Sequence, residues 1–138
     1  MGCAPGLRLL LDTHVWLWRL LAPERLSDTA EGAIADRANE LFMSPITTWE
    51  TLVLARKGRV RLLPSPTEWV LEGLRRSALT ALPLTNEIAL RSERLSGLQS
   101  EDPADRFLVA TALEHELAMV TADRALHAFG TLTTVCSG

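Results

Sequence analysis

Residues 7–11 form a continuous apolar run with a single arginine and no alternation, the pattern of a strand covered on both faces in a parallel sheet; the run stops at Asp12. Beyond it the period lengthens. Val15, Trp18 and Leu21 recur at helical intervals as far as Pro23, and a second helix is predicted from a Ser27 cap, with Ile34 and Ala38 on its buried side. Residues 40–43 read as a short second strand. Ser44 and Pro45 then supply a cap and a first-turn proline for a helix over 45–57. That helix should bury Ile46, Trp49, Leu52 and Val53 and stop at Gly58, with Arg56 and Lys57 at the negative end of its dipole.

A further helix restarts at Ser65-Pro66 or Thr67 and runs to about residue 76, with Trp69, Val70 and Leu74 inward. Residues 79–84 read as a third strand. Thr85 caps a predicted helix through 98, with Ile88, Ala89, Leu95 and Leu98 as its buried stripe, and Asp102-Pro103 opens another that reaches about residue 115. A fourth strand over 117–121, a short helix over 123–129 and a fifth strand over 132–135 complete the series. This alternation predicts an α/β fold, a three-layer α/β/α sandwich around a central, mostly parallel, Rossmann-like sheet.

With 138 residues, 47% of them hydrophobic, the chain is long enough to bury a core without disulfides or structural metal, and we expect one domain over 1–138. No internal period or low-complexity stretch interrupts it. Cys3 and Cys136 belong to no Cys-x-x-Cys or Cys/His cluster and fit a reducing cytoplasm. The N-terminal segment has no charged leader, and its apolar run breaks at Asp12, so neither a secretory signal nor a membrane span is expected and a cytoplasmic location is. A net charge of −3 counts against a protein that grips nucleic acid through a broad basic surface. An enzyme whose metal ions bring the positive charge can still be acidic overall, because its carboxylates are counted before the metal binds.

Open parallel sheets bind ligands beyond the carboxyl ends of their strands. Asp12 directly follows the first strand and Asp123 the fourth, while Glu50 and Asp105 lie early in helices whose N-termini point to the same rim. Four carboxylates in one pocket repel one another unless a cation joins them, and a hard divalent ion takes such oxygen ligands. Phosphodiester hydrolysis is the natural use of that chemistry. Each acid also has a plainer reading. Asp12 and Asp123 suit helix caps, Glu50 suits a solvated helix face, and Asp105 suits the positive end of a helix dipole, with Asp102 as the cap before Pro103.

Four stretches carry a resemblance: Leu-Leu-Leu-Asp-Thr-His-Val-Trp-Leu-Trp around Asp12, Ser-Pro-Ile-Thr-Thr-Trp-Glu around Glu50, Asp-Pro-Ala-Asp-Arg-Phe-Leu-Val-Ala-Thr-Ala around Asp105, and Leu-Ala-Met-Val-Thr-Ala-Asp-Arg-Ala-Leu around Asp123. Together, in this order, they resemble the PIN-domain family, and within it the VapC toxins of bacterial toxin–antitoxin pairs. The resemblance implies a PIN-like fold and an endoribonuclease that hydrolyses RNA. It implies Asp12, Glu50, Asp105 and Asp123 as the acidic quartet binding Mg2+ or Mn2+, with Asp12 and Asp105 as direct ligands. It also implies a homodimer and a cognate VapB-type antitoxin whose tail occupies the acidic groove. Thr121 resembles the small hydroxyl residue before the last acid, where it can orient a carboxylate or water or serve the strand end alone.

Other polar features have less specific readings. Arg56, Lys57, Arg59 and Arg61 form the densest basic stretch, either a solvated helix end or a guide for the RNA backbone. Arg106 and Arg124 each follow a site acid and are candidate phosphate partners. His14 suits packing or groove lining, His115 and His127 suit the surface, and the four tryptophans suit core or dimer contacts better than base stacking. Two rivals remain. An aspartate-based phosphotransfer protein is disfavoured because His14 stands where a second aspartate belongs and Lys57 is the only lysine. A non-cutting PIN-like module that binds RNA or protein would be expected to have lost acids, and all four are present.

Overall fold

The computed structural model describes residues 6–136; Cys3 and the expectation attached to it lie outside that range. Strands β1 (Arg8–Leu11), β2 (Glu40–Met43), β3 (Thr80–Ala81), β4 (Ala118–Thr121) and β5 (Thr134–Cys136) form one sheet in the order β3-β2-β1-β4-β5. Every pairing is parallel, so all carboxyl ends share one edge. The seven helices are α1 (Thr13–Leu21), α2 (Asp28–Ala35), α3 (Pro45–Arg56), α4 (Pro66–Arg76), α5 (Asn86–Ser92), α6 (Pro103–Glu114) and α7 (Arg124–Ala128), among the described residues.

The central strands are apolar on both faces because both faces are covered. Leu10, Phe42 and Met119 turn to one side, where they meet Leu108 and Val109 of α6 and Leu126 of α7. Leu9, Leu11, Met43 and Val120 turn to the other and meet Val15, Trp16 and Leu17 of α1, Ala30 and Ile34 of α2, and Val70 of α4. Alternation along each strand thus feeds two separate cores, giving the expected three layers. Fold and element order agree with the sequence reading; several details do not.

On α1 the buried stripe is Val15, Trp16 and Leu17, while Leu21 is 45% exposed and Trp18 is half-buried. Ala38 is exposed, because Asp36 ends α2 and its carboxylate accepts the Ala38 N–H in a turn. The backbone of that turn also passes so close to Gly6 that a Cβ there would lie 2.0 Å from the Ala38 carbonyl oxygen. Trp49 is 54% exposed, so the covered face of α3 is set by Ile46, Thr47 and Thr51 instead. β3 is shorter than 79–84, an edge strand paired only at Phe42–Thr80 and Met43–Ala81, after which the Leu82 N–H makes a last bond to the Met43 carbonyl and Pro83 follows. The helix expected over 85–98 ends at Ser92; Leu95 and Leu98 are buried from the following loop. Gly58, at φ +74°, does terminate α3, and the Arg59 N–H reaches back to the Leu54 carbonyl.

Trp16 is the largest fully buried side chain. Its ring meets Trp69 edge-on at 5.6 Å, its Nε1 donates to Ser77 Oγ at 3.3 Å, and a Cβ on Gly73 would lie 3.1 Å from it, so α4 packs directly against it. Trp16→Ala should therefore cost about 3–5 kcal/mol of unfolding free energy. Urea denaturation of the two proteins measures this, and a loss under 1 kcal/mol would mean that α4 is not held through this contact.

Candidate functional site

The order β3-β2-β1-β4-β5 reverses direction between β1 and β4, so the crevice at their carboxyl ends is the topological switch point of the sheet. Asp12 follows β1 there and Asp123 follows β4. α3 begins at the same edge, directly after β2, and α6 runs back toward β4 with its N-terminus there, bringing Glu50 and Asp105 to that side.

Asp12 is 8% exposed. Its Oδ1 accepts the Thr13 N–H at 2.7 Å as the cap of α1, and its Oδ2 accepts the Thr121 hydroxyl at 2.6 Å. Its backbone N–H donates to the Val120 carbonyl at 3.1 Å, so main chain and side chain both tie it to β4. Thr121 Oγ1 also accepts the Asp123 N–H at 3.0 Å, linking the two acids through one hydroxyl. Asp123 caps α7, its Oδ1 accepting from the Ala125 N–H at 2.8 Å and the Leu126 N–H at 3.4 Å. The capping reading and the site reading of these aspartates therefore hold together: capping orients each carboxylate.

Asp105 Oδ2 accepts the Ser100 hydroxyl at 2.7 Å, and Asp102 caps α6 through the Ala104 N–H at 3.0 Å. Thr13 Oγ1 lies 3.1 Å from Thr47 Oγ1, joining the first turns of α1 and α3 beneath Glu50. Thr13, Thr47 and Ser100 are not marked by any motif in the sequence: the first two meet across 34 residues, and Ser100 reaches Asp105 from the loop before α6. Thr121 is so marked.

Electrostatics shows how far the acids are brought together. Burial holds the Asp12 carboxyl above its ordinary value against the opposing Thr121 hydrogen bond, and the Asp123 charge adds to the rise. Glu50 is raised by burial, drawn back by Thr13 and raised again by the charges of Asp12 and Asp102. Asp105 is pushed up to about 7, by burial first, with Ser100 opposing and Asp12, Asp102 and Asp123 all adding. Asp12 thus lies within electrostatic reach of each of the other three acids, and Asp102 within reach of Glu50 and Asp105. Yet no three Asp, Glu, His or Cys groups converge on one ion-sized point among the described residues. The acids form a ring about Asp12 at a distance, not a closed cage.

That geometry suits a magnesium-type ion better than one needing a full protein cage, because such ions keep several waters and take only one or two carboxylates directly. The donor chemistry fits as well: the ligands are hard oxygens, and the raised proton affinities of Asp12, Glu50 and Asp105 come first from burial and then from mutual repulsion, both of which a cation would offset.

Arg106 does not face a phosphate; its Nε donates to the Ser92 carbonyl at 2.9 Å and its guanidinium to the Ser100 carbonyl at 3.0 Å, holding the loop that carries Ser100. Arg124 is exposed at the start of α7. Arg56, Lys57, Arg59 and Arg61 lie at the opposite end of α3 from the site edge. His14 is exposed in the first turn of α1, and its side chain opposes the rise in proton affinity at Asp12 and Glu50. His115 follows α6, but His127 is no surface residue: both ring nitrogens are engaged, Nδ1 with Thr134 Oγ1 at 2.7 Å and Nε2 with the Thr121 carbonyl at 2.6 Å.

Comparison with known proteins agrees with this architecture. The family model described as PIN domain matches residues 9–132. Ribonuclease VapC22 of Mycobacterium tuberculosis (strain ATCC 25618 / H37Rv) is 37% identical over 118 residues, covering 86% of this chain and 88% of that protein. Among solved structures, VapBC2 from Rickettsia felis bound to a promoter DNA fragment superposes with a TM-score of 0.71 at 12% identity, covering 96% of this chain and 100% of that one. DNA-bound VapBC from Salmonella typhimurium gives 0.69 at 18% identity, with 93% and 96% covered. The structural likenesses, at such identities, speak for the fold.

The elevated proton affinity of Asp105 has a measurable sign. A carboxyl that holds its proton more tightly when folded contributes stability at low pH and loses it as pH rises from the unfolded value of 3.8 toward the folded value of about 7. In EDTA, the melting temperature of Asp105→Asn minus that of the native chain should grow across this window and level off above it. Parallel melting curves from pH 4 to pH 8 would show that Asp105 is not held in a protonated state.

Proposed function

The chain belongs to the PIN-domain family, and from that premise we propose that it is a divalent-cation-dependent endoribonuclease, the toxin of a type II toxin–antitoxin pair, with Asp12, Glu50, Asp105 and Asp123 as its working acids. The observation that carries the reading is the link between Asp12 and Asp123 through the Thr121 hydroxyl at the switch point of the sheet, the edge to which Glu50 and Asp105 are also brought. The extent and identity of the match to Ribonuclease VapC22 support RNA as the substrate.

Asp12, held by Thr13 and Thr121, offers the most rigid carboxylate and would be the principal Mg2+ or Mn2+ ligand, with Asp105 as its partner. Asp123 keeps Oδ2 uncommitted among the described residues, since Oδ1 serves the α7 cap. Glu50 and Asp123 would help to hold the ion, directly or through water. When bound, the ion activates water and stabilises the leaving oxygen of the phosphodiester. Ser100 and Thr121 fix the orientations of Asp105 and Asp12, so that little rearrangement is needed as the phosphate arrives. His14 flanks Asp12 and Glu50 and is placed to line the path of the RNA.

A homodimer and a VapB-type antitoxin complete the proposal. An acidic rim attracts an arginine or lysine from a partner, and the half-exposed Trp49 indole beside Glu50 gives that partner an apolar anchor. No helix among the described residues is long and apolar enough to cross a membrane.

Purified protein should cut a mixed pool of structured RNA in Mg2+ or Mn2+, fall silent in EDTA, and lose at least ~100-fold in rate on Asp12→Asn. RNA bound with native-like affinity but uncut in either ion, with Asp12→Asn binding equally well, would replace the enzyme with a non-cutting RNA-binding module.

A further inference from the structure

His127 lies four residues beyond Asp123, on the last turn of α7, and both its ring nitrogens are engaged. A carbonyl oxygen can only accept, so Nε2 must carry a proton to bond the Thr121 carbonyl at 2.6 Å; Nδ1 of the neutral ring then accepts from the Thr134 hydroxyl at 2.7 Å. The ring spans α7, the end of β4 and β5.

The segment from Thr121 to His127 is closed on itself by these bonds. The His127 side chain holds the Thr121 carbonyl, and the His127 N–H holds the Asp123 carbonyl at 3.1 Å. The Thr121 hydroxyl holds the Asp123 N–H at 3.0 Å, and Asp123 Oδ1 holds the N–H groups of Ala125 and Leu126. One small ring of backbone therefore carries Asp123 itself and the hydroxyl that orients Asp12. Sheet pairing holds its start, with the Val120 carbonyl accepting the Asp12 N–H on one side and Thr121 in register with Cys136 of β5 on the other, and the imidazole adds a side-chain tether from α7 to Thr134 of β5.

We propose that His127 is a positioning residue of the acidic site, acting through the Thr121 carbonyl to set the Asp12 and Asp123 carboxylates relative to one another. The inference rests on the reading of those acids as cation ligands. It touches neither substrate nor ion. Groups of this kind, bonded to the residues that orient ligands, typically change metal affinity or activity 10- to 100-fold when lost.

Three measurements test it. In 15N-labelled native protein without metal, the His127 ring should be the Nε2–H tautomer with a slowly exchanging proton; an Nδ1–H tautomer would overturn the proposal without any variant. Mn2+ affinity, followed by electron paramagnetic resonance, should weaken about tenfold in His127→Met and return to within about threefold in His127→Gln, whose amide can donate to the same carbonyl. Thr121→Val serves as the benchmark for losing the hydroxyl itself. RNA cleavage by His127→Met should show lowered kcat with KM unchanged.

A folded His127→Met protein that binds Mn2+ within about twofold of the native chain would overturn the proposal. Should that variant not fold, Thr134→Val decides, since it keeps the ring and removes one of its two anchors: a loss of about threefold is expected, and native affinity rejects the role. Native protein that binds Mn2+ no better than Asp12→Asn would instead reject the cation-site reading, leaving the tautomer measurement to judge the bond to Thr121.

Discussion

The centre of the rim turns on a single buried contact, the Thr121 hydroxyl against Asp12 Oδ2, where the paired strands β4 and β1 end. A carboxylate as enclosed as Asp12 is expensive to keep charged, and burial raises its proton affinity accordingly. The short hydrogen bond from Thr121 and the Thr13 N–H work against that rise. Because β1 and β4 are neighbours only through a crossover, the contact exists only when the sheet has its proper order. Site and fold are thus conditions of one another.

From this contact the arrangement spreads in two directions. Through Thr13 and Thr47 it reaches the first turn of α3 and Glu50; through Thr121 it reaches Asp123 and α7. Asp105 stands apart, oriented by Ser100 from a loop that Arg106 fastens to Ser92. Asp12, Asp105 and Asp123 are consequently held by hydroxyls and backbone N–H groups rather than by opposite charges. Hydroxyls fix orientation without neutralising, which leaves the collective negative charge available to a cation.

Much of this was legible in the chain. Asp12 and Asp123 ended apolar strands, Asp102-Pro103 announced a capped helix with Asp105 in its first turn, and the unalternating strand 7–11 implied cover on both faces. What escaped has a common cause. Trp49, Leu52 and Val53 are equally apolar, and only the packing of neighbouring helices decides that Trp49 faces outward. Leu95 and Leu98 keep helical spacing yet are buried from a loop, because α5 stops where the Ser92 carbonyl is taken by Arg106. His127 looked superficial because its two partners lie on different strands, one of them seven residues away in sequence. Period and motif report a residue's own element; they do not report what tertiary pairing brings to it.

The charge distribution bears on how an acidic protein of net −3 can meet RNA at all. The densest basic stretch starts at the carboxyl end of α3, and a helix of 12 residues at ~1.5 Å per residue puts it roughly 18 Å from the site edge. At physiological salt that exceeds the screening length of about 8 Å, so these side chains can hold RNA backbone beyond the scissile bond but contribute little field at it. Arg106 is committed to two backbone carbonyls. Under the proposed function, positive charge at the reacting phosphate would come chiefly from an ion gathered by the acids, with the exposed Arg124 as the nearest cationic side chain in sequence. On this account the protein's acidity is the condition for its affinity: RNA and the carboxylates repel each other until a cation lies between them, and binding at the cutting position should be inseparable from cation loading while looser binding along the basic flank is not.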